Sequence, residues 1–266
     1  MASYTLPPKP KNSLYKKVKR IVITLLVIAL YVWTFTSIDI DWQNAMDRFV
    51  QNYNVLIPML FSPDWSATGE VALKMLETIF IAFAGSLMAA VLAIPLSFMA
   101  ANNMMGGKIA ATVGKWILSA VRAFPDIILA ILFVVAVGPN AFAGVLAIAI
   151  GSTGMLGKMF SEIIESIDMQ VVEAMQANGA NKIQILFYAV MPQVIPEFLS
   201  YAIYRFEVDI RASSILGIVG AGGIGTMVMF ASQNREWNEM GTILLGIIIV
   251  VTIIDFTSAR IRKKIV

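Results

Sequence analysis

Long apolar runs constrain this chain more than anything else in it. A helix needs about 20 mainly apolar residues to cross a hydrocarbon core of roughly 30 Å, and six runs of about that length occur at 21–37, 77–101, 113–138, 142–160, 194–217 and 240–257. They predict an all-α integral membrane protein with six transmembrane helices. Composition agrees: 58% of the 266 residues are hydrophobic and 14% charged, against about 45–50% and about 25% in a soluble domain. Two runs are imperfect. The third carries Arg122, Pro125 and Asp126, and the fifth carries four charges, so neither reads as a clean lipid-facing helix.

The net charge of +3 is concentrated at the ends. Lys9, Lys11, Lys16, Lys17, Lys19 and Arg20 precede the first run with no acid among them, and Arg260, Arg262, Lys263 and Lys264 follow the last. The positive-inside rule then places both termini in the cytoplasm, which requires an even number of spans. A basic stretch before an apolar run also suits a signal peptide, but the sequence after Thr36 offers no small-x-small cleavage site. Residues 39–74 contain five acids against Arg48 and Lys74 and fall outside. Their aromatic residues, Trp42, Phe49, Tyr53, Phe61 and Trp65, read either as a belt at the neck of a span or as an amphipathic helix at the interface. The segment between Lys158 and Gln193 is placed inside by alternation of the spans and not by charge, since Lys158 and Lys182 are outnumbered by Glu162, Glu165, Asp168 and Glu173.

Much chemistry is excluded. The chain has no Cys and no His, so it lacks thiolate chemistry and the usual general base and metal ligand. The run Gly220-Ala221-Gly222-Gly223-Ile224-Gly225 has GxGxxG spacing, but that fingerprint binds a dinucleotide only between a strand and a helix of a soluble unit. The stretch from Gly151 to Met159 looks like a phosphate loop, yet it has five residues between its outer glycines, and Met159 stands where a hydroxyl is needed for Mg²⁺. Neither motif makes this chain a nucleotide-binding protein. Five of the nine residues from Gly217 to Gly225 are glycine, which permits a break or re-entrant turn and equally permits tight helix packing. In the fifth run Arg205 and Asp209 are four residues apart, as are Glu207 and Arg211. On a helix the two pairs fall on nearly opposite faces. Ionisable groups inside a membrane line a pathway or pair internally, and both readings stay open here.

Glu173-Ala174-Met175 is followed by Gly179, six residues after the glutamate, and by Pro192, nineteen after it. This resembles the EAA loop of ABC importer permeases: Glu-Ala-Ala, three residues, Gly, nine residues, Ile-x-Leu-Pro. The departures are at Met175, Ala189 and Met191. A short helix, a turn opened by Gly179 and a second helix would make a knob able to enter a groove on a partner. The stretches Arg122-Ala123-Phe124-Pro125-Asp126, Leu156-Gly157-Lys158, Tyr204-Arg205-Phe206-Glu207 with Arg211, and Leu216 to Gly225 are similar to the permease subunit of phosphonate importers. So is the shorter element Ser62-Pro63-Asp64-Trp65 before the second run.

The resemblance implies a type I ABC importer permease fold and a chain divided into three parts. These are a basic tail, first span and external segment (1–71), a transmembrane core (72–259) and a basic cytoplasmic tail (260–266). It implies a permease for a phosphonate, phosphate or phosphite oxyanion that works as two copies in the bacterial cytoplasmic membrane. Two ATP-binding subunits would lie below it and a substrate-binding protein outside. ATP and Mg²⁺ would be held by those partners, with no cofactor, metal, catalytic residue or nucleic acid on this chain. Coupling falls to Glu173, Ala174, Gly179 and Pro192, and the translocation pathway to Arg205, Glu207, Arg211, Gly220, Gly222, Gly223 and Gly225. The alternative is an ion-coupled secondary transporter or channel for a small anion, which broken helices and intramembrane charges would serve as well. A membrane-embedded enzyme using Glu207 or Asp209 has no supporting constellation.

Overall fold

A computed structural model of the chain describes residues 14–38, 41–104 and 107–265, which leaves Lys9, Lys11, Asp39 and the rest of the N-terminal tail outside the described residues. Every regular element among those described is helical. Contacts divide the chain into two compact units, Met1–Asn54 and Val55–Val266.

In the first unit, α1 (Leu14–Ser37) has no buried residue and at 24 residues is about 36 Å long. Its apolar surface, Lys16 to Arg20 at its start apart, suits lipid on all sides. The segment rich in aromatics forms α2 (Trp42–Gln51), started by Asp41, whose carboxylate accepts from the Asn44 amide at 3.0 Å. Trp42 and Phe49 are exposed on it, so the stretch is helical and its aromatic residues are free to meet an interface in either of the two forms.

The second unit contains all but the first two residues of α3 (Tyr53–Phe61), together with α4 (Thr68–Ala100), α5 (Gly107–Arg122), α6 (Asp126–Val137), α7 (Ala141–Ser166), α8 (Met169–Ala177), α9 (Lys182–Ile185), α10 (Met191–Leu216), α11 (Ile224–Asn234) and α12 (Trp237–Ile265). Five stretches, Leu14–Ser37, Trp65–Ala100, Ala141–Ser166, Lys182–Val219 and Trp237–Ile265, are long and apolar enough to cross a membrane, and α5 with α6 supplies a sixth. That pair overturns the expectation of one continuous third helix: it is bent by 79° between Arg122 and Asp126. Pro125 explains the bend. It has no N–H to continue the ladder, and its ring keeps the preceding residue out of the helical region. The Ala123 amide closes the last turn of α5 on Ser119, and the Ile128 amide restarts the ladder on the Pro125 carbonyl at 2.9 Å.

Small residues set the packing around α4 and α7. Ala82, Ala89 and Ala93 have no exposure, and a Cβ at Gly85 would lie 2.7 Å from the Ile148 Cβ. On α7, a Cβ at Gly154 would lie 2.9 Å from the Arg122 amide nitrogen, so the end of α5 rests directly on α7. Larger side chains fill the gaps, with Phe160 and Phe198 stacked 4.0 Å apart between α7 and α10. The starts of α4 and α12 are tied together before they enter the bundle. The Asp64 amide donates to the Asn238 carbonyl at 3.1 Å, and the Thr242 hydroxyl donates to the Asp64 carbonyl at 2.8 Å. The Ser66 hydroxyl and amide both donate to the Asp64 carboxylate and hold its pKa below the usual value.

Candidate functional site: a docking loop, a glycine turn and a charged band

The loop after α7 is built as a self-contained knob. Asp168 caps α8 through the Gln170 amide at 2.9 Å. After α8 the chain reverses at Gly179, whose φ of +78° is one that side chains other than glycine disfavour. The Ala180 amide closes the end of α8 on the Met175 carbonyl at 3.1 Å. Asn181 and Gln184 then start α9 with a reciprocal capping box. The base is pinned by the Asp168 amide donating to Gln193 Oε1 at 2.9 Å. Val172 is buried and Met175 packs against the core, whereas Glu173 and Ala174 are exposed. The Glu173 carboxylate makes no hydrogen bond or ion pair with any described residue. Pro192 follows a five-residue π turn, Leu186–Val190. A proline there cannot donate to the Tyr188 carbonyl and its ring crowds it, which favours the wider turn.

The glycine run proves to be both things its composition allowed. Gly220, Gly222 and Gly223 have φ of +91°, +78° and +73° and form a turn between α10 and α11. Gly217 and Gly225 are instead packing positions. Their own backbones lie so close that a Cβ at either would meet the other. The turn is fastened to α4: the Gly223 amide donates to Glu77 Oε1 at 3.0 Å and the Ile224 amide to the Thr78 hydroxyl at 2.8 Å. These side chains receive donors that the start of a helix otherwise leaves open.

The four charges of α10 form the two expected pairs, facing different neighbours. Arg205 Nε lies 2.8 Å from Asp209 Oδ1. Asp209 has no exposure and also accepts from the hydroxyls of Ser86 on α4 and Ser152 on α7, each at 2.9 Å. Arg205 reaches Asp126 at the start of α6, 3.6 Å away. The second pair faces α12. Arg211 lies 2.6 Å from Glu207 and 3.0 Å from Asp255, while Arg262 donates to the other Glu207 oxygen at 3.0 Å and lies over the Tyr204 ring. Arg262 therefore belongs to the last helix and not to a free tail. Sequence reasoning did not find Ser86, Ser152, Glu77, Thr78 or Asp255. Asp126 was visible as a charge within an apolar run, but without a partner.

A sequence profile of the family described as binding-protein-dependent transport system inner membrane component matches residues 93–265. The chain is 35% identical over 249 residues to a phosphite transport system permease protein of Stutzerimonas stutzeri, covering 94% of this chain and 90% of that one. It is 32% identical over 212 residues to a phosphate-import permease protein of Mycolicibacterium smegmatis, covering 80% of this chain and 40% of that longer one. The fold matches that of a chain in the inward-facing MetNI methionine ABC transporter with a TM-score of 0.66, at 22% identity, over 76% of this chain and 99% of that one. The six-span reading, the type I importer fold and these relatives agree: the chain belongs to the family of binding-protein-dependent transport system inner membrane components, as a multi-pass permease.

Proposed function

We propose that this permease carries a phosphonate-type oxyanion, among which phosphite and phosphate are the solutes named for its relatives, into the cell as a pair of identical copies. An external binding protein delivers the solute, and two ATPase subunits, which hold the ATP and Mg²⁺, drive the cycle. The observation that carries this reading is the docking loop: a doubly capped knob with an exposed Glu173 whose carboxylate has no partner among the described residues. Glu173, Ala174 and Gly179 form its contact surface, and Pro192 joins it to α10, so that a push on the loop reaches the glycine turn. Gly220, Gly222 and Gly223 give that turn its break and Gly225 packs it against Gly217, with Glu207 and Arg211 on the pathway side of α10 and Arg205 holding the helix to α6 and α7.

The test is reconstitution. The complex in lipid vesicles, with binding protein outside and ATP inside, is expected to accumulate phosphite, phosphate or methylphosphonate only while ATP is hydrolysed. The purified permease alone is expected to hydrolyse none. Uptake driven by an ion gradient without ATP would favour a secondary carrier and overturn the proposal.

A further inference from the structure

One basic side chain within the bundle is left without a counter-ion. The Arg122 guanidinium has no hydrogen-bond or ion-pair partner among the described residues, and the residue is exposed. Its depth follows from packing: its backbone lies against Gly154, at the midpoint of α7. Other basic groups of the core are occupied. Lys74 is paired with Glu77, Lys115 with Glu165, Arg205 with Asp209 and Arg211 with two carboxylates. Arg122 also ends a helix, but the end of α5 lies at the bend inside the third crossing, whereas the other basic side chains without partners among the described residues lie at outer helix ends or in segments outside the spans.

The bend explains why Arg122 is different. On a continuous helix Asp126, four residues on, would be its neighbour and natural partner. The 79° turn at Pro125 carries Asp126 away toward α7 and α10. There its carboxylate occupies the space where a Cβ of Gly151 would stand and pairs with Arg205. The fold thus removes the internal partner and leaves a full positive charge on the open surface of a broken span. An unpaired charge facing lipid at such depth is costly, so intramembrane charges face protein interiors or water-filled paths. A guanidinium presents a planar fork of donors that suits a tetrahedral oxyanion better than a point charge does.

We propose that Arg122 contacts the oxyanion during its passage. This rests on the importer reading above, and if the permease acts as two copies the pathway holds two such arginines. Arg211 differs because its charge is already balanced within the chain.

The experiment compares the unmodified complex with Arg122→Gln and Arg122→Lys in vesicles, using inorganic phosphate, phosphite and methylphosphonate as solutes. Co-purification of partners and the melting temperature of the complex are measured alongside. The expected result is assembly and melting as in the unmodified complex, uptake reduced at least about tenfold by Gln, and only part of that loss restored by Lys, which keeps the charge without the fork. Uptake unchanged in Arg122→Gln overturns the assignment. Loss of assembly or a lowered melting temperature with Gln also overturns it, assigning the arginine to pairing between subunits. The same set is run in vesicles with and without anionic phospholipid, because a lipid headgroup offers the same phosphate chemistry. A Gln defect that disappears without anionic lipid gives the arginine to the headgroup and overturns the assignment. If the unmodified complex takes up none of the three solutes, the importer reading itself fails for these oxyanions and takes the assignment with it.

Discussion

Replacing Arg205 by Gln would leave the carboxylate of Asp209, which has no exposure, facing only two serine hydroxyls. Breaking a buried pair from one side costs about 3–5 kcal/mol, while removing both charges together is often nearly neutral. Thermal melting of the permease in detergent is therefore expected to fall sharply for Arg205→Gln and to recover in the double variant with Asp209→Asn. Arg211→Gln should be far milder, about 0–1 kcal/mol, because Arg211 is 46% exposed and Glu207 keeps Arg262. Equal losses for the two single variants would contradict the asymmetry between the faces of α10. At Gly179 there is open space around the missing Cβ, so the constraint there is backbone conformation alone. Asn tolerates positive φ and β-branched residues do not. Gly179→Asn is thus expected to keep ATP-coupled uptake that Gly179→Val loses, with Gly179→Asp failing through its charge at the docking surface.

Helices that cross the membrane were readable from the sequence because length and apolarity alone define them. The helix, glycine turn and second helix after α7 were readable because glutamate, glycine and proline stand at fixed spacing. The bend in the third crossing was visible only as its ingredients, Arg122, Pro125 and Asp126, since nothing in a sequence says where a broken helix points. Ser86 was hidden for a different reason. A serine in an apolar helix ordinarily bonds its own preceding turn, and this one does so to Ala82 as well as reaching Asp209 across the bundle. At the glycine run, turn and packing alternatives could not be separated because one residue type serves both: Gly220, Gly222 and Gly223 take positive φ between the touching pair Gly217 and Gly225. Gly225 is on the packing side, where a Cβ would collide with the Ser214 carbonyl. Gly225→Leu should cost about 1–3 kcal/mol or more through overpacking, seen as a lower yield of folded protein. Gly69, with nothing near its Cβ position and in the first turn of α4, is expected to accept Ala without loss.

At the scale of the whole molecule, the reading requires the docking loop and both termini to share the cytoplasmic side. Because the chain has no cysteine, a single one at Asn178 can be introduced without removing others. It is expected to react with an impermeant reagent only after the membrane is opened. Labelling in intact cells would invert the topology. The fastening of the glycine turn also sets which parts of the bundle are stiff. With the Gly223 and Ile224 amides held by Glu77 and Thr78, the start of α11 is tied directly to α4. The joint on the α10 side is closed as well, since Gly217 packs on Gly225 and the Gly220 amide donates to the Gly217 carbonyl at 3.0 Å, so on the proposed coupling a push along α10 would be handed to α11 and α4 together rather than absorbed at the turn.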